Sequence, residues 1–264
     1  MKCVLRVGIT RVDVASGKAQ KKKDYVAEEK PLDIYLDMKH YGTIFCSPSN
    51  LKELALGHLL SEGILKSVEE VEELRPSLSE AACKVRLKTN VDIEKRLMFS
   101  KLSSRVIRSA CGGTSPYQLS FRHPKIRSNL TVPAKTIFDC VRRLNSNAKI
   151  FRRTGGVHVA AIYDKEGKQK TLSEDVGRHN AVDKVIGAGV LKQIDFERCF
   201  LALSGRLTSD IVLKAATMRL PIVASLAAAI DSGIAVANEA HLTLVGFVRG
   251  NRLNIYTFPE RILS

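Results

Sequence analysis

Short strand patterns alternate with helix patterns from residue 157 to the end of the chain, and this alternation narrows the fold more than any other feature. Apolar and β-branched runs at 157–163, 169–173, 199–203, 221–226, 242–248 and 253–258 read as strands. Helical spacing predicts helices over 178–191, 208–219 and 231–240. Turns are expected at Asp164-Lys165-Glu166-Gly167 and Arg249-Gly250-Asn251-Arg252. A β-β-α-β-α-β-α-β-β order hides apolar helix faces against a sheet of mixed direction. The expected fold class is therefore α/β, with a layered mixed-sheet core.

The first half is less regular. Segments 2–15, 32–46 and 82–89 read as strands, and 103–118 as a strand entering a loop. A helix is expected over 50–62, with Ser49 as a candidate cap, Gly63 as its stop, and Leu51, Leu54, Ala55, Leu59 and Leu60 on one face. Pro133 suits the first position of a further helix that aligns Ile137, Phe138, Val141 and Leu144. Lys21-Lys22-Lys23 is expected at an exposed turn. A boundary at Asn145-Ser146-Asn147 predicts two units: 1–150, a smaller α+β unit carrying the Cys111 loop, and 151–264, an α/β core.

Composition limits the function. The 264 residues are 45% apolar and 26% charged, which excludes a disordered chain and a small disulfide scaffold. The net charge is +15, and residues 81–160 hold 17 Lys+Arg against 3 Asp+Glu. Such an excess calls for an anionic partner, although a solvated basic face reads equally well on charge alone. The opening residues lack a signal-peptide stretch, and Leu220 to Ala237 is interrupted by Pro221, Ser225, Asp231 and Ser232. No membrane association is expected. The six cysteines, at 3, 46, 83, 111, 140 and 199, include no C-x-x-C pair. Reduced thiols, a cytoplasmic setting and no metal site follow as expectations.

Five segments carry candidate chemistry. Cys111 precedes Gly112-Gly113 and follows Arg105 and Arg108, cations that favour a thiolate. The alternative is a small buried thiol in a turn. Glu174-Asp-Val-Gly-Arg178-His179-Asn-Ala-Val-Asp-Lys184 is dense in functional groups where a strand meets a helix. It reads either as a ligand crevice or as a network of salt bridges and caps. Ser204-Gly205-Arg206 precedes a helix start, where phosphate is favoured. Arg249 and Arg252 flank a tight turn that suits a pyrophosphate clamp or solvated charge. Thr154-Gly155-Gly156-Val157-His158 adds a Gly-Gly turn. The G-x-x-x-x-G-K-[ST], G-x-G-x-x-G and G-x-S-x-G signatures are absent.

Taken together, the motifs resemble the formate dehydrogenase accessory sulfurtransferase (FdhD) family. The matching pieces are Leu54-Ala-Leu-Gly-His-Leu-Leu-Ser-Glu62-Gly63-Ile64, Cys111-Gly112, Thr154-Gly-Gly-Val-His158, Glu174 to Lys184, Ser204-Gly-Arg206 and Leu244-Val-Gly-Phe-Val-Arg249. The resemblance implies a cytoplasmic sulfur carrier that takes sulfur from a cysteine desulfurase as a persulfide. It implies delivery to the molybdenum cofactor, as bis(molybdopterin guanine dinucleotide), for formate dehydrogenase. The family's persulfide cysteine falls on Cys111. Its cofactor segment falls on Phe247, Val248, Arg249, Gly250, Asn251 and Arg252. Arg178, His179 and Arg206 are further pocket candidates. A core related to the cytidine deaminase fold and a homodimer are implied as well. Many relatives carry a second cysteine three residues after the first; here that position is Thr114, which leaves a single-thiol persulfide.

Three other readings compete. A zinc deaminase needs H-x-E and P-C-x-x-C, and His158-Val-Ala160 lacks the Glu. A nucleic-acid module is suggested by charge but opposed by 6% aromatics and by the absence of a recognised motif. A chaperone that only holds the cofactor differs from a carrier in not needing Cys111.

Overall fold

In a computed structural model describing residues 3–89, 91–94, 96 and 125–264, strands and helices stack as alternating layers. Strands β1 (Val4–Val12) and β2 (Ala19–Ala27) form an antiparallel ribbon. Strands β3 (Lys30–Leu36) and β4 (Lys39–Cys46) come next, then helix α1 (Leu51–Ser61), then strands β5 (Val71–Ser77) and β6 (Ala82–Leu87). These four strands make one sheet in the order β4-β3-β6-β5.

After residue 125 the chain forms β7 (Val132–Pro133), α2 (Ala134–Asn147), α3 (Lys149–Thr154), β8 (His158–Asp164) and β9 (Gln169–Asp175). Helix α4 (Arg178–Leu191), β10 (Cys199–Leu203), α5 (Ser209–Thr217), β11 (Ile222–Ser225) and α6 (Asp231–Ala240) follow. The hairpin β12 (Thr243–Arg249) and β13 (Arg252–Thr257) and the short β14 (Ile262–Leu263) close the chain. A six-stranded sheet runs β13-β12-β11-β10-β8-β9, with β10, β11 and β12 parallel and the outer pairs antiparallel. This is the mixed α/β sheet expected.

Strand alternation sends successive side chains to opposite layers. Leu201 and Leu203 pack with Val182, Val185, Ile186, Ile211 and Val212 of α4 and α5. Phe200 and Ala202 pack with Ile137, Val141 and Leu144 of α2. Helix α1 is enclosed between α4 and the four-stranded sheet, so its residues 54–57 and 59–61 are all buried. That is more than the single face predicted, and it suits a helix covered on both sides.

Two glycines set this contact. A Cβ on Gly57 would lie 1.8 Å from the Asp183 carbonyl oxygen, and one on Gly187 would lie 2.0 Å from that of Glu53. A buried ion pair fixes the same two units: Lys184 Nζ lies 2.6 Å from Asp175 and donates to the Ser47 carbonyl at 2.9 Å. The Ser47 amide donates to Asp175 at 3.0 Å.

Several expectations change. The span 32–46 is two strands folded at Asp37 and Met38, both at positive φ, where no glycine marks the turn. Lys21–Lys23 lie inside β2, not at a turn; the turn is at 13–18, held by Asp13 accepting from Ser16. The ribbon is exposed on both faces, so β2 lacks the alternation that marks a half-buried strand. Asn50, not Ser49, is the residue before α1. Strand β5 and helix α3 were not anticipated. The boundary at 150 also moves: among the described residues, Ile126, Leu130, Val132 and α2 already pack on the six-stranded sheet. The expected strand at 103–118 lies outside the described residues.

Gly57→Ala and Gly187→Ala are each expected to destabilise the protein by about 3 kcal/mol, because backbone must move to admit a methyl group. Thermal denaturation would register this as a loss on the order of 5–10 °C in Tm.

Candidate functional site

One edge of the six-stranded sheet gathers most of the candidate residues. Strands β10, β11 and β12 end there, β8 begins there, and β9 ends there beside His158. Open α/β sheets place ligands beyond the carboxyl ends of their parallel strands. Helices α4, α5 and α6 also start at this edge, behind Gly177, Thr208 and Ile230, and none of the three starts has a side-chain cap. Their first-turn N–H groups are thus left for water or an anion.

The loops at this edge are tied together. The Leu207 amide donates to the Ala228 carbonyl, the Ile230 amide to Leu207, and the Phe247 amide to Ala227, each at 2.9–3.0 Å. The Ser225 hydroxyl donates to the Gly205 carbonyl at 2.6 Å. Beside them lies a cavity of about 300 Å³, lined by Asn145, Gly155, Gly156, His158, Ser204 and Leu226 among others. His158 Nδ1 is 3.3 Å from the Ser204 hydroxyl. Burial, then the Arg178 guanidinium and Arg206, hold His158 below the ordinary histidine range. It is neutral at pH 7.

Arg178 and Arg206, both pocket candidates from the sequence, thus lie close enough to His158 to act on the same ring. Arg178 also packs on Gly205, where a Cβ would come within 3.0 Å of its side chain. Segment 247–252 reaches the same edge two strands away, about 10 Å across. Phe247 has φ 52° at a bulge, and the Arg249 guanidinium lies 5.0 Å from its ring centroid. Arg249, Gly250, Asn251 and Arg252 are exposed. Val248 is different: it is fully buried in the α2-side core, because the bulge at Phe247 interrupts the alternation and sets Val248 on the same face as Val245. His179 turns towards α5 instead, although Arg178 stays close enough to act on it. Its Nε2 faces Asp210 at 3.9 Å. Cys111 lies outside the described residues.

The site's chemistry is that of an anion receptor. Arg178, Arg206, Arg249 and Arg252 supply charge, and three helix starts supply N–H donors. Two buried polar atoms at this edge, Asn145 Oδ1 and Thr208 Oγ1, have no hydrogen-bond partner among the described residues. Buried polar atoms seldom stay unpaired; the Thr208 hydroxyl can donate to an anion's oxygen, whereas the Asn145 oxygen calls for a donor, from water or from a ligand's N–H or O–H.

Residues 27–263 match the model of the FdhD/NarQ family. The chain belongs to the FdhD/NarQ family. It is 38% identical to a sulfur carrier protein FdhD of Sulfolobus acidocaldarius, over 94% of this chain and 95% of that one. A sulfur carrier protein FdhD of Bacillus pumilus is 36% identical over 91% of each chain. A crystal structure described as a formate dehydrogenase accessory protein, from Desulfotalea psychrophila, superposes with a TM-score of 0.79 at 26% identity. It covers 99% of this chain and 100% of its own.

In this FdhD/NarQ chain the long motif 174–184 is mostly architecture. The Glu174 carboxylate accepts from the amides of Lys149, Ile150 and Phe151 and so caps α3. Asp175 accepts from Gly177 and from Asn180, whose amide group also donates to the Phe45 carbonyl. Lys184 is spent on Asp175 and Ser47. Asp183 belongs to a second cluster that sequence reasoning missed. It accepts from Ser61 at 2.7 Å and Lys214 at 3.0 Å and lies 3.3 Å from His58 Nδ1; Lys214 also bonds Glu62 at 2.6 Å. Burial works against the Asp183 carboxylate, but Lys214 and His58 outweigh it and hold it below the usual range. The signal was available: Asp183, Lys184 and Lys214 fall on helix faces that are otherwise apolar.

The family chain's other thiols are poor nucleophiles. Cys3, Cys46, Cys83, Cys140 and Cys199 are all buried. Burial pushes Cys46 and Cys83 up to about 12, and Cys140 and Cys199 to about 11.

Burial, with Arg178 and Lys214 nearby, lowers His179 to about 4. The unfolded state then binds one more proton than the folded state from about pH 6.5 down to about 4. Stability is expected to fall by about 3 kcal/mol as pH drops through that window. His179→Asn is expected to flatten that slope in denaturant titrations run at several pH values.

Proposed function

We propose that this chain is a cytoplasmic sulfur carrier, a sulfurtransferase that receives sulfur from a cysteine desulfurase as a Cys111 persulfide. It hands the sulfur to the molybdenum cofactor, bis(molybdopterin guanine dinucleotide), that formate dehydrogenase requires. The observation that carries the proposal is the near full-length similarity to curated sulfur carrier proteins at 36–38% identity. A homodimer and kinship with the cytidine deaminase fold belong to the same proposal and rest on the resemblance; the mixed α/β core is compatible with that kinship.

Two physical features support the reading. All five described thiols are buried and four of them are held protonated by that burial, so we assign the sulfur chemistry to Cys111, which has Arg105 and Arg108 close in sequence. The arginine-rich sheet edge suits the phosphates of a dinucleotide cargo, held by Arg178, Arg206, Arg249 and Arg252. In the loading step the Cys111 thiolate attacks the terminal sulfur of the donor's persulfide. The donor's S–S bond breaks, the new S–S bond forms on Cys111, and the donor cysteine leaves as a thiolate. No second cysteine is needed, in agreement with Thr114.

Incubation with a cysteine desulfurase and cysteine, followed by peptide mass spectrometry, is expected to place a persulfide on Cys111 and none in Cys111→Ala. An unloaded Cys111 beside an active desulfurase would favour a protein that only holds the cofactor. In cells, Cys111→Ala is expected to abolish formate dehydrogenase activity.

A further inference from the structure

The ribbon of β1 and β2 is the element least explained by the molecule's own packing. Among the described residues, its nine-residue strands pair only with each other. Such a ribbon is marginally stable alone. Its base is anchored, with Val4 and Ala27 packed near Cys3, Ile150 and Val157. Beyond the base it is exposed or half-buried on both faces. It also lies almost wholly before residue 27, where the family match begins.

Register sorts its side chains. Arg6 opposite Tyr25, Gly8 opposite Lys23 and Thr10 opposite Lys21 share one face. The Arg153 guanidinium stacks 4.2 Å from the Tyr25 ring centroid and continues the basic row onto α3. Residues 4–27 hold six Lys+Arg against two Asp. Among the described residues the ribbon's own ion pair is Arg11–Asp24. The opposite face carries Leu5 against Val26, then Val7 and Ile9 in line on β1 beside Asp24 and Lys22 of β2. Leu5 is 47% exposed and Val26 39%.

We propose that this ribbon is a docking arm for a partner protein whose surface is acidic and carries an apolar strip. Charge complementarity selects the partner: a second copy of the arm would set cations against cations. A nucleic acid would use a row of aromatic rings, but residues 4–27 hold one aromatic, Tyr25, on which Arg153 already stacks, and the apolar strip has no use against phosphates. The position is apt, because Ala27 at the arm's base lies 3.3 Å from where a Gly156 Cβ would sit, in the wall of the candidate cavity. A protein held by the arm is therefore held beside the site.

The test rests on the sulfur-carrier reading for its probes, the cognate cysteine desulfurase and the cognate formate dehydrogenase apoprotein. Affinity for each is measured with the unmodified chain, with Lys21→Glu/Lys23→Glu, and with Leu5→Thr/Val26→Thr. One of the two probes is expected to bind, more weakly as salt rises. Charge reversal is expected to weaken it about tenfold or more, and the threonine pair to weaken it too. Tm and guanine-nucleotide binding should stay unchanged. Equal affinity in the charge-reversed chain would overturn the arm, as would binding of single-stranded RNA alone, loss of self-association alone, or no binding by the unmodified chain. Persulfide loading of Cys111 at saturating desulfurase is read separately. If loading persists while reversal leaves affinity unchanged, the arm fails and the carrier reading stands. If Cys111 never loads, the carrier reading fails and the affinities still decide the arm.

Discussion

At Gly57 and Gly187 two helix backbones approach so closely that neither has room for a methyl group. That approach lays α1 over α4 and takes Asp183 out of water. A buried carboxylate without a partner costs several kcal/mol, on the order of 3–5 when one side of a pair is removed. Asp183 therefore draws Lys214 from α5 and Ser61 and His58 from α1, and the four groups join three helices. Helices α4 and α5 both start at the sheet edge, so their fixed positions also fix where Arg178 and Thr208 stand. The site's geometry is thus set about three turns of helix away from some of the residues that determine it.

The division of labour within residues 174–184 follows from the same constraint. Glu174, Asp175, Asn180, Asp183 and Lys184 are bound inside the protein as a cap, a turn and two buried ionic contacts. Arg178 is directed to the edge, towards His158 and Gly205. A dense run of polar residues can therefore look like an active site and serve chiefly to build the frame that holds one. The fold's own thiols show the complementary logic: Cys3, Cys46, Cys83, Cys140 and Cys199 are all buried, and burial holds Cys46, Cys83, Cys140 and Cys199 in the protonated form.

The C-terminal half was legible because period-two and period-3.6 patterns alternate cleanly there; α4, β10 and α6 fall within the residues expected. The N-terminal half was not, for identifiable reasons. Asp37-Met38 turns the chain at positive φ without glycine, and β2 is solvated on both sides and shows no alternation. The boundary at Asn145-Ser146-Asn147 was a compositional signal only; α2 packs on the distant sheet through Ile137, Val141 and Leu144. Arg178 and Arg206 stood out in the sequence because one opens α4 and the other shortly precedes α5. Val248 was drawn in by its neighbours in a motif, though its position in the strand sends it to the core. The His58–Asp183–Lys214 cluster joins residues more than 30 positions apart, so only charges on apolar helix faces hinted at it.

The central claim is that the edge formed by β8, β10, β11 and β12 receives the phosphates of a nucleotide-bearing ligand. Calorimetric titration with guanosine diphosphate, beside guanosine without phosphates, tests it most directly. The account predicts that the diphosphate binds, that its affinity falls as salt rises, and that Arg206→Ala weakens it about tenfold, equivalent to about 1.4 kcal/mol. Equal binding of guanosine and its diphosphate, with no effect of Arg206→Ala, would contradict it.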